Sequence, residues 1–280
     1  MKIITDITEM QGFSLDRRAH GERIALVPTM GYLHDGHLSL LREGRKHGDV
    51  LVMSLFVNPM QFGPKEDLGR YPRDFERDRV LSESAGTDVL FCPDAALMYP
   101  ASFRTAVEVA GLSDVLCGKT RPGHFRGVAT VVLKLFNIVM PHTALFGEKD
   151  FQQLTIIKQM AEDLNMAVEI VGVPTVREPD GLAMSSRNTY LSEAQRAAAA
   201  SISKGLRKAA AAFKEGEKDS ASLMGIVRGE MASAGLREDY VDIVDERTLG
   251  TLPAASSHGR IVVAAYAGTT RLIDNISLKE

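Results

Sequence analysis

The sequence predicts an α/β protein: a doubly wound, parallel-sheet domain over residues 1–176, followed by a smaller α+β domain over residues 177–280. Three observations lead there. Short runs such as Val50–Val57 are apolar on both faces, as strands covered by helices on both sides must be. These runs alternate with helix-length amphipathic segments, the pattern of a parallel sheet wound on both faces. Beyond Pro174 the alternation stops, and two helical segments lead into three strand-like runs joined by turns. At 280 residues and 45% hydrophobic content, the chain can fill two cores.

Taken in order, an N-terminal segment with some helical spacing precedes a first strand, Arg23 to Val27, which Pro28 and Gly31 break. Leu38, Leu40 and Leu41 then open a helix that starts near Asp35, a suitable N-cap. The strand Asp49–Val57 follows, then a charged helix from about Arg73 to Ser84, the strand Val89–Phe91 and an extended stretch near Ala106 to Val109. A helix over Val128–Val139, the strand Thr143–Phe146, a helix over Phe151–Leu164 and the strand Val168–Val173 complete the first domain. Pro174, Pro179 and Gly181 mark a loop, Ser192 caps a helix beginning near Glu193, and a second helix covers roughly Ser220 to Ala234. Tyr240–Val244, Arg260–Tyr266 and Arg271–Ile276 are the last strands.

Composition excludes several classes of function. A net charge of -3, with scattered lysines and arginines, gives no general attraction to nucleic acid. No uninterrupted apolar run is long enough to cross a bilayer, so no membrane role is expected. Cys92 and Cys117 cannot form a disulfide framework, and the start Met1–Asp6 lacks the apolar stretch of a signal peptide, which points to the cytoplasm.

Candidate chemistry clusters where strands end. In Pro28–Leu38, a strand leads through Gly31 into a helix, and His34 and His37 fall on one side of its first turn. The unpaired N–H groups of that turn and the positive end of the helix dipole suit an anion such as phosphate, and Gly36 allows close approach to the backbone. A plain turn bearing two surface histidines remains open on these residues alone. A zinc pair is less apt, because no cysteine or further histidine lies at ligand spacing nearby. Val57 leads into Asn58 and Gln61, and Phe146 leads into Gly147, Glu148, Lys149 and Asp150, with Gln153 following. Amides that donate and accept suit a hydroxy acid, although such residues also serve as turns and caps. The glycine- and cation-rich loop Gly118–Gly127 offers Arg121, His124 and Arg126 to an anion, or is a basic surface loop. Met184–Asn188 offers two hydroxyls and Arg187 to polyphosphate, or is an inter-domain linker.

The ordered set P-T-M-G-x-L-H-x-G-H, F-V-N-P-x-Q-F, R-P-G-H-F-R-G-V, F-G-E-K-D-F-Q-Q and M-S-S-R-N resembles the pantoate–β-alanine ligase family through the first two thirds of the chain, with weaker motifs ending at Thr270–Asn275. That family belongs to the nucleotidyltransferase group that includes class I aminoacyl-tRNA synthetases. His34 to His37 matches its signature motif, and Met184 to Arg187 its second phosphate-binding motif, with Arg187 in place of the usual lysine. The resemblance implies a Rossmann-like first domain, a second domain closing over the site, and a cytoplasmic homodimer. The implied reaction is ATP-dependent condensation of pantoate with β-alanine through a pantoyl-adenylate, with Mg²⁺ on the phosphates of ATP as co-substrate and no tightly bound organic cofactor.

Residue by residue, the resemblance implies His34, His37, Lys149 and Arg187 as catalytic groups, with His37 as proton donor. It implies Met30, Gly31, Tyr32, Leu33, His34, Asp35, Gly36, His37, Gly147, Glu148, Lys149, Asp150, Val176, Met184, Ser185, Ser186 and Arg187 around ATP. Gln61 and Gln153 would bind pantoate, Gln61 also β-alanine, and Asn58, Arg121 and His124 are further pantoate contacts. Two other functions compete. A plain nucleotidyltransferase would carry the histidine motif without paired substrate glutamines, and a nucleotide-binding regulatory module would close on ATP without turnover. Pantoate-dependent diphosphate release separates the three.

Overall fold

Buried apolar strands and the helices between them build the first of two units in the computed structural model, which describes residues 1–64 and 66–279. That unit comprises Met1–Glu148 and Gln153–Pro174. Its strands are β1 (Lys2–Ile4), β2 (Ile24–Thr29), β3 (Val50–Leu55), β4 (Val89–Phe91), β5 (Thr143–Gly147) and β6 (Glu169–Val173). Among the described residues these six form one sheet in the order β1-β4-β3-β2-β5-β6, every pairing parallel. The doubly wound, Rossmann-like arrangement is as the alternation predicts. Ile24, Ala25, Leu26, Val27, Leu51, Val52 and Met53 are wholly buried, which is why β2 and β3 show no polar face.

The connecting helices are α1 (Ile7–Ala19), α2 (Asp35–Gly44), α3 (Phe75–Ser84), α4 (Ala95–Met98), α5 (Cys117–Thr120), α6 (His124–Val139) and α7 (Phe151–Asp163). Three details differ from the sequence reading. The N-terminal segment contains an edge strand, β1, before its helix; three residues are too few to show a period. Residues near Ala106–Val109 form no strand, because the Val107 N–H is taken by Thr130 Oγ1 at 2.9 Å rather than by a neighbouring strand. The N-cap of α2 is His34, and Asp35 is the first helical residue.

The sheet opens at one place. Along β2 the backbone groups alternate sides: Ile24 O accepts from His142 N on the β5 side, and Thr29 O accepts from Phe56 N on the β3 side. Pro28 shares the parity of Ile24, so its missing N–H faces β5. The β2–β5 ladder accordingly covers only Ala25 and Leu26, whereas the β2–β3 ladder runs on to Thr29 and Leu55. The strand order reverses between β2 and β5, and in open α/β sheets ligands bind outside the strand ends at such a point.

The second unit comprises Lys149–Gln152 and the chain from Thr175 onward. It contains α8 (Glu193–Lys214), α9 (Ser220–Ser233) and an antiparallel sheet of β7 (Arg237–Asp245), β8 (Gly259–Ala267) and β9 (Thr270–Ser277) in the order β7-β8-β9. Ser192 and Gln195 form a reciprocal capping box at the start of α8. Ile202, Leu206, Phe213, Val227, Ile243, Ile261 and Val263 form the core of this unit. Among the described residues, no helix is long and apolar enough to cross a membrane.

Candidate active site

The segments following β2, β3 and β5 lie at the carboxyl ends of three adjacent strands of the first unit. After β2, the turn of Met30–Leu33 is held from below by Asp78 of α3. Its two carboxylate oxygens accept the N–H groups of Tyr32 and Leu33, each at 2.7 Å. Gly31 (φ +85°) and Tyr32 (φ +51°) both lie in the left-handed region, which turns consecutive N–H groups toward one anion. A Cβ on Gly31 would come within 2.7 Å of Leu55 Cδ1 and 2.9 Å of Asp78 Oδ2, so only glycine fits. Asp78 is 1% exposed; burial pushes its carboxyl above the usual carboxylate range, against the opposing pull of the two N–H groups.

His34 and His37 then sit together on the first turn of α2, their ring centroids 4.0 Å apart. The His34 N–H donates to His37 Nδ1 at 3.2 Å. With Nδ1 accepting, a neutral His37 carries its proton on Nε2, which makes that atom a hydrogen-bond donor. The exposed Asp35 and the half-buried Gly36 complete the turn.

After β3, Asn58 caps a 3-10 turn, Pro59–Gln61. The Gln61 side chain, 9% exposed, reaches back to Met30, with Nε2 at 3.0 Å from Met30 Sδ. Its backbone carbonyl accepts from His124 Nδ1 at 2.8 Å, so His124 Nε2 is an acceptor, and Arg121 Nη1 donates to it at 3.1 Å. Arg121 also grips Glu66 with two bonds, Nε to Oε1 at 2.7 Å and Nη2 to Oε2 at 2.5 Å. Burial opposes ionisation of Glu66, but Arg121, with help from the Gly63 N–H and His124, outweighs it and holds the carboxyl below its usual range. Arg121 and His124 are thus engaged in fixing the Gln61 turn, and Asn58 is 1% exposed with hydrogen bonds to Gly127, Met60, Tyr99 and Gln61. Gly147 ends β5, Glu148 follows it, and the half-buried Gln153 lies on α7.

The second unit carries the cationic candidates. Lys149 Nζ lies 3.3 Å from Asp150 Oδ2, and the Lys149 carbonyl accepts from Asn275 Nδ2 of β9 at 3.0 Å. Asn275 Oδ1 accepts in turn from Arg260 Nη1 at 2.6 Å, and the Arg260 guanidinium lies 4.0 Å from the Phe151 ring centroid. The neighbouring residue on β9, Asp274, holds Arg177 with two bonds of 2.6 and 2.9 Å. Arg177 opens a small hairpin in which it bridges to Ala183 and Met184 N donates to Val176 O at 3.0 Å. That hairpin delivers Ser185, Ser186 and Arg187; Ser185 Oγ accepts from the Arg187 N–H at 3.3 Å, and Asn188 Nδ2 donates to Ala183 O at 3.1 Å. One strand, β9, therefore anchors both segments that carry a candidate phosphate cation.

A family model for pantoate–β-alanine ligases matches residues 2–277. The chain belongs to that family. Pantothenate synthetases from Geobacter sulfurreducens and Myxococcus xanthus are 55% and 53% identical to it, covering 100% and 99% of this chain and 99% and 96% of theirs. The crystal structure of pantothenate synthetase from Thermus thermophilus matches with a TM-score of 0.95 at 43% identity, covering 100% of both chains. That of the Francisella tularensis pantoate–β-alanine ligase, complexed with β,γ-ATP and β-alanine, matches with a TM-score of 0.83 at 34% identity, covering 99% of this chain and 98% of its own. This chain is accordingly a pantoate–β-alanine ligase. Three residues that position the motifs of this ligase have no signal in the sequence reading: Asp78, Tyr99 and Asn275. Only the last stands in a segment, Thr270–Asn275, whose weak motif could have drawn attention to it.

Proposed function

We propose that the ligation runs through ATP and a pantoyl-adenylate. One observation carries this reading: His34 and His37 are paired on the first turn of α2, at the point where the sheet opens beside Pro28. The dipole of that turn, together with a donor at His37 Nε2, suits phosphate oxygens whose charge grows during transfer. A pantoate carboxylate oxygen attacks the α-phosphorus and diphosphate leaves. The β-alanine amine then attacks the acyl carbon and AMP leaves, carrying that oxygen.

In this reading His34 and His37 hold phosphate oxygens and His37 donates the proton, while Lys149 and Arg187 stabilise the transferring and leaving phosphates. Met30 to His37, Gly147 to Asp150, Val176 and Met184 to Arg187 take ATP, Gln61 and Gln153 take pantoate, and Gln61 also takes β-alanine. Mg²⁺ arrives with ATP as part of the co-substrate, held by phosphate oxygens. Among the described residues no group of three or more histidine, cysteine, aspartate or glutamate side chains is spaced to bind a metal of its own. No protein nucleophile is needed: burial pushes the Cys92 thiol up to about 12, and Cys117 is 7% exposed. A cytoplasmic homodimer completes the proposal, and sedimentation velocity tests the dimer.

The deciding experiment is diphosphate release with ATP and pantoate, with and without β-alanine. Release that requires pantoate supports the ligase mechanism. Release independent of pantoate, or dependent on a phosphate ester instead, would favour a nucleotidyltransferase.

A further inference from the structure

Asn58 meets four hydrogen-bond partners, and two of them have fixed polarity. Its amide nitrogen lies 3.0 Å from Gly127 O, which can only accept, and its oxygen lies 3.2 Å from the Met60 N–H, which can only donate. These anchors tell the amide oxygen from the nitrogen, and the Tyr99 hydroxyl adds a further bond that helps to hold the amide in that orientation. Two consequences follow. Tyr99 Oη, 2.9 Å from Asn58 Oδ1, must be a donor. The Gln61 amide atom 3.1 Å from Asn58 Nδ2 must be the oxygen, since a nitrogen there would set donor against donor. Gln61 is left presenting Nε2, whose partner is the weakly accepting sulfur of Met30 at 3.0 Å.

The anchors are built into the packing. A Cβ on Gly127 would fall 2.4 Å from Met60 O, so the close seat of α6 on the Pro59–Gln61 turn requires glycine. The Tyr99 ring is fixed independently of its hydroxyl, edge-to-face on Phe103 at 5.1 Å and tilted on Phe56 at 6.2 Å, with Lys134 Nζ 5.0 Å from the Phe103 ring centroid. Burial also pushes the Tyr99 phenol well above its ordinary value, so it remains a donor across working pH.

We infer that Tyr99, acting through Asn58, is a positioning residue that fixes the Gln61 side chain as a hydrogen-bond donor, so that the pantoate atom read there is an acceptor: a hydroxyl oxygen or a carboxylate oxygen. This rests on the proposed binding of pantoate by Gln61 and adds the residues that set its polarity. Tyr99→Phe removes one hydroxyl and keeps the ring. Asn58→Asp removes the donor that holds Gln61 Oε1 and favours the flipped amide, which would present an acceptor to an acceptor.

The test is steady-state kinetics of pantoate-dependent diphosphate release for the wild type, Tyr99→Phe, Asn58→Asp, Gln61→Ala and the double variant Tyr99→Phe with Gln61→Ala. The expected result is a rise in the pantoate KM of about three- to tenfold for Tyr99→Phe, a larger rise for Asn58→Asp, and an unchanged ATP KM in both. In the Gln61→Ala background, Tyr99→Phe should add nothing further. An unchanged pantoate KM in either single variant, an equal rise for both substrates, or a full additional effect without Gln61 would overturn the inference while leaving the ligase reading intact. A wild-type protein that releases diphosphate without pantoate would remove both. Should Tyr99→Phe fail to fold, Asn58→Asp carries the same split between the two substrates.

Discussion

Asp78 accepts the backbone N–H of Leu33 at 2.7 Å, and its second oxygen accepts that of Tyr32 at the same distance, so a buried carboxylate from α3 shapes the turn that delivers both histidines. In Asp78→Asn one oxygen becomes an NH₂ group facing an N–H. A buried donor left unsatisfied costs about 1 to 3 kcal/mol, so the turn should relax. We expect pantoate-dependent diphosphate release to slow by about tenfold or more in a variant that still folds by circular dichroism. A wild-type rate in Asp78→Asn would mean that the carboxylate does not set the histidine geometry.

That relationship shows where sequence reading stops. The strand ends, the histidine turn and the glycine-bearing loops are local patterns, and each was readable because breakers and polar residues interrupt apolar runs. Asp78 lies within Phe75–Ser84, a segment the sequence marks only as a charged helix, yet its carboxylate turns inward to backbone 45 residues away. Tyr99 and Asn275 also act at long range, meeting Asn58 and Lys149 across 41 and 126 residues. Periodicity carries no record of such pairings. The same holds for Asn58, Arg121 and His124, whose polar character is legible but whose bonds to Gly127, Glu66 and the Gln61 carbonyl are not. The assignment of Lys149–Gln152 to the second unit was likewise hidden, since the chain there runs between two elements of the first.

His37→Ala and Lys149→Ala should each slow adenylate formation by about a hundredfold or more, because the loss of one preorganised donor to developing charge typically costs about 3 to 4 kcal/mol. Single-turnover diphosphate release measures this step alone. Near-normal rates in either folded variant would remove that residue from the mechanism.

Asn275→Asp keeps an acceptor for Arg260 but replaces the donor to the Lys149 carbonyl with an oxygen. The turn bearing Lys149 should loosen, and diphosphate release should slow by about tenfold, the equivalent of one lost hydrogen bond plus the repulsion that replaces it. In a Lys149→Ala background the same change should cost little more. Full additivity in that double-mutant cycle would assign Asn275 to stability alone.

Gln61→Ala and Gln153→Ala should weaken pantoate binding far more than ATP binding, since their amides are assigned to the hydroxyl and carboxylate groups of the acid. Calorimetric titration with each substrate measures the difference. An equal loss for both substrates would count against the assignment.

The most direct measurement follows oxygen. Pantoate labelled with oxygen-18 in its carboxylate is turned over with ATP and β-alanine, and the AMP product is analysed by mass spectrometry. An acyl-adenylate places one carboxylate oxygen on phosphorus and leaves it there when the amine displaces AMP, so the account predicts AMP carrying a single labelled oxygen. Unlabelled AMP formed alongside pantothenate would contradict it.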